Sequence, residues 1–205
     1  MNNMKSIKSI KWVTSLAILL IIGFQVNGQD FTKYNAVDSS KVFISGTSTL
    51  HNWKEQLKKF TVTVLVEQNK TDGIVFKNIR FTAPVGELKG ESSLMDNKTF
   101  KAMKKDKYPT ISFSSKDEIK LPVVENKFTG KVSGILTIAG VEKQVTVEVK
   151  GVIGHGLISV SGIYSVSMSD YGITAPTFLF GTIKTGNVVK VHFNLKFNKI
   201  YNTFN

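Results

Sequence analysis

The chain has 205 residues, no cysteine and a formal net charge of +12, from 27 basic and 15 acidic residues. The lack of cysteine excludes disulfide bonds and a lipid-modified N-terminal cysteine. Arg80 is the only arginine, and because nucleic-acid recognition depends on the bidentate contacts of arginine, the composition argues against a nucleic-acid-binding protein.

Residues 1–28 have the pattern of a secretory signal peptide. Three lysines precede an apolar run from Leu16 to Phe24, and small or tolerated residues occupy the cleavage-site positions before Gln29. This run is shorter than the roughly 20 apolar residues that cross a membrane. We therefore predict a periplasmic or secreted protein, with an uncleaved signal anchor as the alternative.

Residues 29–205 are predicted to form one domain, which is long enough to bury a core without disulfide bonds. The leader holds three of the 27 basic residues and none of the 15 acidic ones, so its removal lowers the net charge from +12 to +9. The lysines occur as single outward positions along strands. This pattern indicates a solvated exterior with at most a weak attraction to anionic membrane surfaces.

Eight segments have the alternation of apolar and polar residues that is typical of half-buried β-strands. They are 41–47, 58–67, 73–81, 110–116, 128–138, 143–150, 157–169 and 188–200. Such alternation leaves one face of each strand wet, which favours antiparallel pairing. Gly130, Gly134 and Gly162 lie inside long strands and indicate bending. The pattern predicts an all-β fold, either an eight-stranded barrel or a sandwich.

One short amphipathic α-helix is predicted between residues 92 and 104. It would begin near Ser92 or Ser93, where Ser93 and Asp96 resemble a capping box. It would end by Lys107, because Pro109 disfavours helical geometry in the residue before it. The apolar face contains Met95, Thr99, Ala102 and Met103, with Phe100 at its flank. We expect this helix to lie on a sheet or to cover one end of a barrel.

The segment from Tyr171 to Gly186 also breaks the strand pattern. It contains an apolar run around Phe178 inside a stretch that glycine and proline punctuate. Loops usually run over the surface and are polar. We therefore predict that this run packs on the barrel end or on a ligand at its mouth.

Several blocks of the sequence resemble the bacterial YceI-like family. They are GTSTLHNW at 46–53, SLMDNKTFKAMKKDKYPTISF at 93–113, KVSGILTIAGVEKQVTVEVKG at 131–151, and SDYGITAP with FGTIKTGNVVKVHFNLKF at 169–197. The most specific block is the helix that ends in Lys-Tyr-Pro-Thr-Ile-Ser-Phe. The resemblance covers essentially all of the chain after the leader.

The resemblance implies a single lipocalin-like, eight-stranded antiparallel barrel in the bacterial envelope, with the helix covering one end. It also implies a long isoprenoid or similar lipid tail inside the barrel, the homodimer that family members commonly form, and a link to stress or to isoprenoid quinone handling. Familiar members carry an Arg-Asp-x-His-Leu sequence where this chain has Met95 to Phe100. Head-group contacts by that arginine and histidine therefore do not carry over.

The candidate ligand-binding residues face inward by alternation or cover the barrel ends. They are Trp53, Phe60, Val62, Val64, Met95, Phe100, Met103, Phe113, Leu136, Tyr164, Met168, Phe178, Phe193 and Leu195. A dry, solid core could be built from the same side chains, and the sequence leaves both alternatives open. His51, Tyr108 and the indole N–H of Trp53 are the candidates for contact with a ligand's head group.

Metal binding and catalysis are not predicted. His51, His155 and His192 lack the short spacing of a metal site, and no Gly-x-Ser-x-Gly turn exposes a nucleophile. We expect an exported carrier that sequesters an isoprenoid, quinone or fatty-acid-like lipid, with no cofactor and no catalysis. Two alternatives stay open: a solid barrel that docks on an anionic partner or membrane through its lysines, and a lipid-directed enzyme with His51 as base.

Overall fold

The computed structural model describes residues 31–69, 73–115, 117–154 and 156–200, so the predicted signal peptide lies outside the described residues. The helix in these ranges is α1 (Ser93–Ala102). The strands are β1 (Thr32–Ala36), β2 (Lys41–Ser48), β3 (Trp53–Leu57), β4 (Thr61–Asn69), β5 (Gly73–Pro84), β6 (Leu88–Lys89), β7 (Thr110–Ser115), β8 (Ile119–Leu121), β9 (Lys127–Ile138), β10 (Val141–Gly154), β11 (Leu157–Ser167), β12 (Thr177–Phe178) and β13 (Ile183–Lys199). No helix in this part of the chain is both long and apolar enough to cross a membrane.

The strands close into an antiparallel barrel of eight, four of which are interrupted. β1 and β2 lie one after the other along the same edge of β13, with Tyr34 opposite Lys199 and Ile44 opposite Val191. In the same way β4 and β3 follow β1 and β2, β5 and β6 follow β4 and β3, and β7 and β8 follow β5. β9, β10 and β11 complete the ring to β13. The predicted eight-stranded barrel is thereby confirmed over the sandwich.

All eight predicted segments form strands, but the first barrel strand begins earlier than predicted, at Thr32. In β1 only Tyr34 is buried, so five residues give no alternation to detect. The break between β1 and β2 is held by the buried Ser40. Its hydroxyl accepts from Lys196 N at 2.9 Å and donates to Lys196 O at 3.2 Å, and these bonds replace ladder bonds that the break removes.

The interior glycines give space to side chains of the neighbouring strand. Gly162 of β11 lies opposite Phe193 of β13, and a Cβ added there would lie 2.4 Å from Phe193 Cζ. A side chain at this position would therefore push the ring away from the barrel wall.

Helix α1 begins and ends within the predicted bounds, but the residues that fix its two ends differ from the predicted ones. Ser92, not Ser93, is the N-cap, since its hydroxyl accepts from Met95 N at 3.3 Å. Asp96 does not complete a capping box and instead accepts from Gly90 N at 2.8 Å and pairs with Lys89 at 3.2 Å. The helix ends at Ala102, because Lys104 adopts a left-handed backbone with φ of 54°. Pro109 is therefore not what stops the helix.

The buried side chains form two clusters, one in each half of the barrel. We call the half near α1 and the connections 49–52, 90–109, 139–140 and 168–182 the α1 end. The opposite half, which contains the 122–126 connection, is the far end. The fold thus places the helix and the 168–182 connection together at one end, as the sequence predicts.

Candidate ligand-binding cavity

The barrel encloses a cavity of about 1060 Å³. This volume is at the upper limit of the roughly 300–1000 Å³ that is usual for ligand pockets. The barrel is therefore hollow, and a solid core is not what the structure shows.

The cavity runs through both halves of the barrel and its walls are almost entirely apolar. In the half near α1 its lining includes Val42, Leu57, Leu88, Ile138, Val166 and Val189; in the other half it includes Val62, Val64, Phe76, Phe128, Val132 and Val149. Tyr34, Ile74, Leu121 and Ile158 are buried beyond this lining and close the far end. The space thus has one closed and one open end.

The open end lies under α1 and beside the 168–182 connection. Leu94, Met95, Lys98 and Thr99 of the helix line it, as does the connection through Phe178, Leu179 and Phe180. Phe180 is fully exposed, and Leu50, Leu94 and Leu179 are each at least 60% exposed. The mouth therefore has an apolar rim, which we define as Leu50, Leu94, Leu179 and Phe180.

Most of the candidate ligand-binding residues predicted from the sequence do line the cavity. They are Trp53, Val62, Val64, Met95, Met103, Phe113, Leu136, Tyr164, Met168, Phe178, Phe193 and Leu195, twelve of the fourteen candidates. The head-group candidate His51 also lies at the mouth. Their part in binding a ligand stays a prediction.

Three candidates do not line the cavity. Phe60 lies in the break between β3 and β4 and packs against Phe81, with ring centres 6.0 Å apart. Phe100 is half-buried against the apolar cluster of the α1 half but does not line the cavity. The ammonium groups of Lys89 and Lys105 lie 4.8 and 4.7 Å from its ring centre.

Tyr108 is the third of these candidates. Its ring covers the β9–β10 hairpin, where a Cβ added at Gly140 would lie 2.3 Å from Tyr108 Cε1. Gly140 and Ala139 both have positive φ, as a two-residue hairpin requires. Tyr108 therefore packs against a turn and does not point into the cavity.

Trp53 lines the cavity, but its indole N–H is already used. It donates to Thr47 O at 3.0 Å, and the ring lies against Gly46, where an added Cβ would be 2.3 Å from Trp53 Cζ2. Since an indole has a single donor, the predicted head-group contact by this N–H is wrong. Trp53 supplies apolar surface and holds the β2–β3 turn.

His51 sits in that same turn with an exposed side chain. Its Nδ1 lies 2.8 Å from Asn52 O, and its backbone N and O both bond to the hydroxyl of Ser48. When Nδ1 carries the proton and donates to Asn52, the other ring nitrogen is an acceptor. His51 is placed to meet a ligand only at the mouth.

Glu55 is the polar group of the cavity that the prediction missed. It is 0% exposed, lines the cavity, and accepts from Thr99 Oγ1 at 2.6 Å. Burial raises the pKa of its carboxyl from 4.5 to about 7, with the Thr99 hydrogen bond opposing this rise and the Asp96 charge adding to it. The sequence prediction did not include the short strand β3, in which Trp53, Glu55 and Leu57 alternate with two polar residues and all line the cavity.

Metal-binding clusters do not occur in the described residues, where no group of three or more His, Asp or Glu side chains is placed to hold an ion. His192 lies on the outer surface, stacked on Phe43 at 4.4 Å and 3.0 Å from Ser45 Oγ. His155 lies outside the described residues.

A closed antiparallel barrel of eight strands with an apolar interior defines the lipocalin-like class of barrels. Within this class the chain belongs to the YceI-like family, since the model of the YceI-like domain matches residues 33–197. The resemblance seen in the sequence is thereby confirmed. No curated protein matches the chain.

Solved structures share the fold at low sequence identity. BcnA of Burkholderia cenocepacia has a TM-score of 0.59 and 19% identity, covering 77% of this chain and 95% of its own. A polyisoprenoid binding domain from Saccharophagus degradans, implicated in plant cell wall breakdown, has a TM-score of 0.60 and 10% identity, covering 83% and 100%. The YceI protein of Campylobacter jejuni has a TM-score of 0.53 and 20% identity, covering 72% and 84%.

Proposed function

We propose that this protein is an exported carrier that holds a long apolar lipid, of isoprenoid, quinone or fatty-acyl type, inside its barrel without catalysis. The observation that carries the proposal is the apolar cavity of about 1060 Å³ with one open end. A polyisoprenoid binding domain with the same fold supports the choice of ligand class. A periplasmic or secreted location fits the signal-peptide pattern of residues 1–28.

The size of the cavity suits a long chain. At about 30 Å³ for each non-hydrogen atom, the share of a water molecule in the liquid, 1060 Å³ accommodates roughly 35 atoms, or about seven isoprene units. Each buried methylene contributes about 0.8 kcal/mol, whereas micromolar binding requires about 8 kcal/mol in total. A chain of this length can therefore bind tightly with very few polar contacts, even after the cost of ordering it.

A bulky side chain inside the cavity tests the proposal. Val147 lines the cavity, whereas its neighbour Glu148 on β10 has a side chain that is 82% exposed. Val147→Trp should lose most of the co-purified lipid because the indole takes the place of the chain. Glu148→Trp adds the same group outside and should keep the lipid. Mass spectrometry of organic extracts from gently purified proteins measures both, and a wild-type extract free of lipid would contradict the proposal.

A second candidate function is binding to an anionic membrane surface. This contact would be the step in which lipid passes from the membrane into the barrel. The apolar rim favours it, because exposed apolar side chains at the mouth of an apolar cavity can enter the lipid interface. Lys98 lies at the same mouth, with its ammonium 5.7 Å from the Phe178 ring centre, and the chain is strongly basic. Lysines beside an apolar rim match an anionic bilayer in charge and in polarity.

A further inference from the structure

One carboxyl group interrupts the apolar lining and is only half satisfied. Oε1 of Glu55 accepts from Thr99, but Oε2 has no hydrogen-bond partner in the described part of the chain. Two other buried atoms there share this condition, Glu67 Oε2 and Ser115 Oγ, and neither residue lines the cavity. A buried carboxyl oxygen without a partner is costly, so Glu55 marks a place where a ligand atom is expected.

The charged groups near Glu55 do not neutralise it. Asp96 of α1 is engaged by Lys89 and by Gly90 N, and within the described ranges no lysine or arginine forms an ion pair with Glu55. The apolar side chain of Met95 packs beside Gly90, next to the Glu55 side chain. An anionic head group beside Glu55 would therefore meet the Glu55 and Asp96 carboxyls, whereas the lysine that lines the cavity, Lys98, lies at the mouth near Phe178.

Burial favours the uncharged form of the Glu55 carboxyl, whose pKa is raised to about 7. A protonated carboxyl donates one hydrogen bond and accepts others, and an ionised one only accepts. Either form can pair with a hydroxyl, and the protonated form can also donate to a carbonyl. A phosphate or carboxylate head group is repelled by the ionised form, and beside the protonated form it would still be a buried charge with no cation paired to it at Glu55.

We propose that Glu55 Oε2 binds the polar end of the ligand, and that this end is an uncharged hydrogen-bonding group such as an alcohol, phenol or quinone. The proposal rests on the lipid-carrier function proposed above and specifies its ligand. The head group lies under α1, against Glu55 and Thr99, and the chain runs past Val149 and Phe128 towards the far end. Specificity then comes from one carboxyl group in a cavity that otherwise selects only for apolar surface.

Three ligands with one isoprenoid chain length separate the head group from the tail. They are phytanol, phytanyl phosphate and the hydrocarbon phytane, which share one saturated chain, each used to displace a fluorescent polyene from delipidated protein. On the wild-type protein phytanol should bind about tenfold more tightly than phytane, as one net hydrogen bond predicts, and more tightly than the phosphate. This comparison uses only the wild-type protein, so it does not depend on the folding of any variant.

Variants of Glu55 then assign the effect to this residue. Glu55→Leu should weaken phytanol about tenfold and leave phytane within about twofold, because only the head-group bond is lost. Glu55→Gln keeps a polar group and should stay within about threefold of wild type for the alcohol. Glu148→Leu is the matched control, since Glu148 is 82% exposed on the outside of the barrel and the change should leave the binding of all three ligands as in the wild type.

The outcomes separate the two proposals. A preference of the wild type for the phosphate, or equal loss of alcohol and hydrocarbon in Glu55→Leu, would overturn the assignment of Glu55 while the barrel still binds apolar chains. Binding of none of the three ligands to the wild type would contradict the carrier function itself.

Discussion

The two ends of the barrel are built in opposite ways. At the far end Tyr34, Ile74, Leu121 and Ile158 are all less than 9% exposed and close the cavity. At the α1 end large apolar side chains are exposed, Leu179 and Phe180 hold left-handed backbone conformations that few residues tolerate, and a carboxyl group is buried. The far end also has an exposed apolar side chain, Val124, and left-handed residues at Glu125 and Asn126, but its cavity is closed. The α1 end differs in its open mouth, where a ligand or a surface would cover the exposed apolar side chains.

The largest difference should appear when apolar side chains are truncated on one strand. Ile158 of β11 is 1% exposed, and Ile158→Ala should lower the free energy of unfolding by about 2 to 5 kcal/mol because a cavity is left behind. Ile163 of the same strand is 58% exposed, and Ile163→Ala should change it by less than about 0.5 kcal/mol. Urea unfolding followed by tryptophan fluorescence measures both variants. Equal losses of unfolding free energy would show that the buried side chain of Ile158 contributes no more to stability than the exposed one of Ile163.

The α1 end should carry the pH dependence of stability. The pKa of Glu55 is raised by burial from its ordinary value of 4.5 to about 7 in the folded protein, so the folded state binds more protons between these pH values. Stability therefore falls as the pH rises through this window, and the loss reaches about 3 kcal/mol above pH 7.

Glu55→Gln should remove this pH dependence and unfold at higher urea concentration than the wild type at pH 8. The control is Glu148→Gln, an exposed carboxylate whose nearest lysine nitrogen is 3.9 Å away. Urea unfolding at pH 5 and pH 8 gives the change in unfolding free energy with pH for each protein. A slope in Glu55→Gln equal to that of the wild type would show that another group titrates.

A smaller effect is expected where β1 and β2 meet. Ser40→Ala removes two hydrogen bonds to the Lys196 backbone and should cost about 1 to 3 kcal/mol, since Lys196 N is left without its partner. Ser133→Ala removes an exposed bond to Thr146 of 2.8 Å and should cost less than about 0.5 kcal/mol. Thermal unfolding distinguishes them; similar midpoints would mean that Ser40 does not hold the break.

The smallest effect on stability belongs to the apolar rim. The double variant Leu179→Ser and Phe180→Ser should change the free energy of unfolding by less than about 0.5 kcal/mol, because both side chains are exposed. It should nevertheless slow the transfer of a fluorescent polyene from anionic vesicles. Val124→Ser, at an exposed apolar residue of the far end, is the control and should transfer at the wild-type rate. An unchanged transfer rate in the double variant would show that the apolar rim does not contribute to lipid loading.

Alternation could predict which side chains face inward, because a strand has a fixed period of two. It could not predict whether they leave a void, which depends on how large the side chains are around the whole ring. Phe100 was predicted to line the cavity and does not. Each residue turns a helix by about 100°, so a residue at the flank of the apolar face can lie either inside or outside the cavity lining. Glu55 was passed over because residues 53–57 were not predicted as a strand, so no alternation was applied to them; they form β3, in which Trp53, Glu55 and Leu57 face inward.

Native mass spectrometry of the protein, exported and purified without detergent, is the most direct test of a hollow lipid-filled barrel. The account predicts one apolar ligand for each wild-type chain, released on denaturation and missing from Val147→Trp. A wild-type chain whose native mass equals that of the bare polypeptide, and which takes up no added isoprenoid, would contradict it.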